Sequence, residues 1–111
     1  MKIKATTKTI YYFNKLIYSS DQKIDKYLFK DDKIILLLDN DNLNFSNENV
    51  IAIDLDGNFL WKLEKRNEHN KKCPCIDIYI ENDLLKVYKS CGIEYIINLH
   101  TGKIIFSELK K

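Results

Sequence analysis

Isoleucines at 76, 78 and 80 alternate with Asp77, Tyr79 and Glu81, the two-residue period of a strand with one face in a core and the other toward solvent. The same period runs through Ile51, Ile53 and Leu55, and again through Ile93, Tyr95, Ile97 and Leu99. Short turn signals separate such runs: Asp31-Asp32, Asp56-Gly57-Asn58, Asn82-Asp83, Cys91-Gly92 and Thr101-Gly102. The pattern predicts an all-β, antiparallel up-and-down meander. Strands are expected near 26–30, 33–39, 49–55 and 58–64 in a first four-strand unit, and near 75–81, 84–90, 93–99 and 103–107 in a second. Residues 1–25 add further strand candidates, including Ile10 to Phe13 and Leu16 to Tyr18. Between Asp21 and Leu28 two readings stay open, because Ile24, Tyr27 and Leu28 also share one face of a helical turn.

The two units are imperfect repeats of each other. In VIAIDLDGNFLW (50–61) and EYIINLHTGKIIF (94–106), Ile53, Asp54 and Leu55 match Ile97, Asn98 and Leu99. After one extra turn residue, Gly57 and Trp61 match Gly102 and Phe106, an offset of 44 to 45 residues. A period of ~40–50 residues built of strands is the signature of propeller blades. The hairpins resemble the repeats of quinoprotein-type β-propellers, in which an alternating strand and an Asp/Thr-Gly-Lys/Asn turn lead to a short strand closed by Trp. NVIAIDLDGNFLW keeps that form, and INLHTGKIIF keeps the turn with Phe106 in place of Trp. The resemblance implies blade geometry over the last two thirds of the chain. It implies no cofactor, because the cofactor residues of those enzymes have no counterparts here.

Two blades cannot close a ring that needs at least roughly four. The expected architecture is therefore two propeller-blade-like sheets packed as a sandwich in one 111-residue domain, with Ile51, Ile53, Leu55, Phe59 and Trp61 meeting Tyr95, Ile97, Leu99, Ile104 and Phe106. Comparison of the repeats also shows an insertion. Ser90-Cys91-Gly92 joins two strands of the second unit where the first has the polar loop from Asp39 to Asn49. A loop inserted in one repeat marks a binding face as readily as an unstructured excursion.

Composition narrows the chemistry. Hydrophobic residues are 45% and charged residues 31% of a chain with one Pro and three Gly, a globular balance. The longest purely apolar run, Ile34 to Leu38, is too short to cross a bilayer and the start MKIK leads into polar residues, so a cytoplasmic protein is expected. Cys73, Cys75 and Cys91 are an odd set without an export signal, which predicts reduced thiols. A metal site would need matched Cys pairs two to four residues apart, whereas only Pro74 separates Cys73 from Cys75 and His69 and His100 are scattered, so no metal is expected. Neither histidine adjoins a nucleophile motif and no Gly-rich phosphate loop exists, so the chain does not read as an enzyme. Lysines interleaved with Tyr11, Tyr12 and Phe13 suit a core strand better than a nucleic-acid platform at a net charge of only +2.

Charge is unevenly spread. Residues 1–30 hold seven lysines against Asp21 and Asp25, while residues 31–58 hold seven acids against Lys33 alone. This acidic island disfavours phosphate ligands and favours a basic protein partner. The size and all-β character are similar to those of immunity proteins of bacterial contact-dependent growth inhibition systems. The function expected from the sequence is accordingly a non-catalytic immunity protein, monomeric on its own, that neutralises a basic toxin domain of nuclease type. Its expected contacts are Asp39, Asp41, Asn42, Asn44, Glu48, Asp54 and Asp56. The alternative is a structural propeller fragment that oligomerises and has no toxin partner.

Overall fold

The computed structural model describes residues 2–40, 46–66 and 72–109. These hold eleven strands and no helix in three antiparallel sheets, none closed into a barrel. Sheet one is β1 (Ile3–Ala5), β2 (Thr9–Tyr12) and β3 (Lys15–Ser19). Sheet two is β4 (Ile24–Lys30), β5 (Lys33–Leu38), β6 (Val50–Asp54) and β7 (Phe59–Lys62). Sheet three is β8 (Cys75–Glu81), β9 (Leu84–Lys89), β10 (Ile93–Ile97) and β11 (Ile104–Leu109). Each is a meander in chain order, as short hairpin connections dictate. The ambiguous stretch after Asp21 is strand β4, because Ile24 and Leu28 pair with Leu38 and Ile35 across the ladder.

Sheet two lies between the other two and is buried on both faces. One core joins it to sheet three through Ile35, Leu37, Val50, Ala52, Trp61 and Leu63 on one side and Ile78, Leu85, Val87, Tyr95, Ile97 and Ile104 on the other. A second core joins Ile34, Leu36, Ile51 and Ile53 to Ile3 and Ile10 of sheet one. This explains Ile34 to Leu38, whose apolar run does not alternate because each residue meets one core or the other.

The sandwich of the two repeat units is present, and its packing differs from the sequence expectation by half a strand period. Ile51, Ile53 and Leu55 face sheet one, while Ala52 and Trp61 face sheet three. Ile51 and Ile53 follow the β5–β6 register onto the face of Leu36 and Ile34, and a bulge in the β6–β7 ladder, which pairs Ala52 with Trp61 and Ile53 with Phe59, puts Phe59 and Trp61 on opposite faces. Phe59 and Phe106 are exposed rather than core residues. A second bulge, between Cys75 and Asp77, turns Ile76 out to 54% exposure and gives its inward place to Cys75.

Trp61 joins the two repeat units. Its indole N–H donates to the carbonyl oxygen of Leu99 at 2.7 Å and its ring lies against Gly102. Just beyond, the Glu64 amide donates to the Gly102 carbonyl and the Glu64 carboxylate accepts the Ile104 amide. Further along the interface Lys26 of β4 pairs with Asp77 of β8 at 2.9 Å. The equivalent strands of the two units thus lie over each other.

Candidate functional site

The acidic island is not one patch. Asp39 and Glu48 flank the inserted loop at one end of β5 and β6, whereas Asp54 and Asp56 lie at the other end of β6. The intervening strand holds them roughly 13 Å apart at about 3.3 Å per residue. Asp41, Asn42 and Asn44 lie outside the described residues, as does His69.

One of the island's acids has a structural duty. The Asp54 carboxylate accepts the backbone N–H groups of Asn58 and Asp56 and the side-chain amide of Asn58, closing the β6–β7 turn. These bonds, the Asn58 amide first, hold its carboxyl below the ordinary carboxylate range. At the other end burial, and then the nearby Asp39 charge, push the Asp25 carboxyl up. Glu48 borders a cleft of about 220 Å³ with Tyr18, Gln22, Asn49 and Lys62.

Below that loop the cysteines overturn the expectation of reduced thiols. Cys73 and Cys91 form a disulfide with Cα atoms 5.2 Å apart, bridging the entry of sheet three to the β9–β10 turn. The sequence hid this because an odd count with an 18-residue separation resembles no framework. Cys75 keeps its thiol, buried. Asparagines of the inserted loop fix this segment: Asn47 Oδ1 accepts the Cys73 amide at 2.8 Å and Asn49 Oδ1 accepts the Cys75 amide at 2.8 Å. Asn49, itself buried, donates in return to the carbonyl oxygens of Leu38 and Cys75. Lys89, also buried, places its ammonium 5.5 Å from the centre of the Tyr95 ring.

The outer face of sheet three is the surface that the sequence reading missed. Since Leu85, Val87, Tyr95 and Ile97 point into the core, the register turns Tyr79, Lys86, Ile96 and Phe106 outward in one row, and Asp77, Tyr88, Glu94 and Glu108 outward in the next. Phe106 is 56% exposed there. Lys86 crosses between carboxylates, 2.5 Å from Glu81 and 3.8 Å from Glu94. Glu81 and Glu108, with Asp77 held by Lys26 at the sheet edge, thus border one lysine and three aromatic rings, while Glu94 is buried beside Lys86. The signal was available in the non-core phase of β8 to β11, where Tyr79, Tyr88 and Phe106 alternate out with acids. Aromatic side chains in company with charge are what protein-binding surfaces use to combine desolvated area with orientation.

Other chemistry is sparse. His100 is exposed in the β10–β11 turn, where Asn98 accepts its backbone amide. Among the described residues no three His, Cys, Asp or Glu side chains converge as metal ligands would, and no helix is long and apolar enough to cross a membrane.

Comparison with known proteins agrees with the fold. The crystal structure of the computationally designed Ika8 protein is similar to this chain at a TM-score of 0.64 and 12% identity. The similarity covers 93% of this chain and 30% of the designed one, so the chain spans under a third of that protein's length. No curated protein matches the sequence. The profile of the family described as domain of unknown function DUF7957 matches residues 12–109, nearly the full length, and the chain belongs to that family.

Proposed function

We propose that the chain is a non-catalytic protein-binding protein that neutralises a basic partner, acting as an immunity protein against a bacterial toxin domain of contact-dependent growth inhibition type. The observation that carries this reading is the outer face of sheet three, where Phe106, Tyr88 and Tyr79 stand among Glu108, Glu81 and Asp77. The carboxylates steer a lysine- and arginine-rich surface in, and the rings supply the apolar area that holds it. For a nuclease the covered surface would be the one that receives phosphates. This moves the binding face away from the inserted loop, where Asp39 and Glu48 remain secondary rim charges. The Cys73–Cys91 bridge bears against a reducing compartment, so the proposal does not include a cytoplasmic location.

The test is growth protection. The chain is co-expressed with the toxin domain encoded by the adjoining reading frame, beside a Phe106→Ser/Glu108→Lys variant whose fold is checked by circular dichroism. The native chain is expected to restore growth and the variant to fail. A native chain that gives no protection, or an adjoining frame that encodes no toxin, would overturn the immunity reading.

A further inference from the structure

The opposite end of the three-sheet stack has the opposite charge. In sheet one, Ile3, Ala5, Ile10, Tyr12 and Tyr18 face the core. The register that pairs Lys4 with Tyr11 and Tyr11 with Leu16 lines those three up on the outer face. Lys4 is exposed and Leu16 is 50% exposed. Lys2 lies on the same side of β1 as Lys4, Lys8 and Lys15 border the two turns, and residues 2–20 contain no acid. One end of the molecule therefore shows an aromatic and apolar row ringed by lysines. The other shows an aromatic and apolar row ringed by carboxylates.

We infer that, when no basic partner is bound, the acidic face of sheet three takes the lysine-ringed face of sheet one from a second copy of this chain, head to tail. The inference rests on the reading of sheet three's outer face as a docking surface, and it names sheet one as that surface's internal mimic of a basic partner. Tyr11 and Leu16 of one copy cover Phe106 and Ile96 of the next, while Lys2 and Lys4 meet Glu108 and Glu81. The contact is heterologous, since the two faces differ, so it adds copies one after another rather than stopping at a symmetric pair. Three strands of three, four and five residues offer a footprint of at most roughly 15 by 17 Å, far below the roughly 800 Å² per partner of a stable interface. Self-association is therefore weak and yields to a tighter partner. Its charge pairs are peripheral, so it fades with salt as the screening length falls from about 30 Å at 0.01 M to about 3 Å at 1 M.

Sedimentation equilibrium of the purified chain, with no partner present, tests this directly. The mass is expected to rise above 13.2 kDa with concentration at low salt and return to it at high salt. Two variants with exposed substitutions, Lys4→Glu/Leu16→Ser and Phe106→Ser/Glu108→Lys, are each expected to stay monomeric alone. Mixed, they retain one intact face each and are expected to form a species of twice the monomer mass that grows no further. A native chain that stays monomeric at low salt, a variant that still assembles alone, or a mixture that yields no dimer would each overturn the inference. The toxin reading fails separately. Lys4→Glu/Leu16→Ser leaves the acidic face intact and should still protect, and failure of the native chain to protect would sink the immunity reading without touching the sedimentation result.

Discussion

The indole N–H of Trp61 donates to the Leu99 carbonyl oxygen at 2.7 Å, so a side chain from the first repeat unit satisfies a backbone acceptor in the turn of the second. Removing it breaks packing and a hydrogen bond together. Trp61→Ala is expected to cost about 3–5 kcal/mol, whereas Trp61→Phe, which keeps much of the ring area, should lose about 1–2 kcal/mol. Urea unfolding of the two variants measures both. A Trp61→Ala loss below about 1 kcal/mol would mean that the ring does not couple the units.

Gly102 is the other half of that joint. Its φ is +74° and an added Cβ would lie 2.6 Å from the Trp61 ring. Gly102→Ala is therefore expected to destabilise by more than about 1 kcal/mol, from backbone strain and from displacing the indole. In a Trp61→Ala background the steric part should vanish. A double-mutant cycle showing no coupling would refute the contact.

Asp54 gives the stability a specific acid dependence. Its carboxyl titrates below the ordinary aspartate value of ~3.9, so its contribution is complete above that value and is lost as pH falls through the lower folded value. Asp54→Ala is expected to lower the melting temperature at pH 7, with the gap from the native chain closing at acid pH. A gap that stays constant down to pH ~2 would show that the charge contributes nothing.

For the cysteines, thiol titration of the denatured, unreduced chain should find one reactive group, Cys75, and three after reduction. Replacing Cys73 and Cys91 by Ser should cost about 3 kcal/mol, the chain-entropy value for a loop of this size. Three thiols before reduction would restore the sequence expectation.

The two acidic surfaces can be separated by association kinetics with the toxin domain. Glu108→Lys is expected to slow association several-fold at low salt, less as salt rises, while Asp39→Lys at the rim of the inserted loop leaves the rate nearly unchanged. The reverse ranking would return the binding face to the loop.

Strand positions were legible because turns at Asp31-Asp32, Asn82-Asp83, Gly57 and Gly102 punctuate strong alternation, and the repeat located Trp61 before any coordinates did. What each face packs against was not legible. Both phases of VIAID are buried, so alternation could not tell Ile51 and Ile53 from Val50 and Ala52, and two bulges then shifted Trp61 and Ile76 to faces opposite to a simple count. The acidic island misled for a related reason. Charges near in sequence lie at opposite ends of β6, while Asp77, Glu94 and Glu108, distant in sequence, converge on one face through the register.

A sheet covered on both sides also decides how the molecule opens. A fragment ending at Glu64 would bare Ile35, Leu37, Val50 and Ala52, and one starting at Lys23 would bare Ile34, Leu36, Ile51 and Ile53. Neither repeat unit is a separable module, despite the repetition in the sequence. The amide protons of Ile35, Leu36 and Ala52 should be the last to exchange with solvent, at the free energy of global unfolding, while β3 and β11 at the sheet edges exchange through local fraying. Any duplication that produced the repeat thus ended in a single cooperative unit, with its two outermost sheets left to face the world.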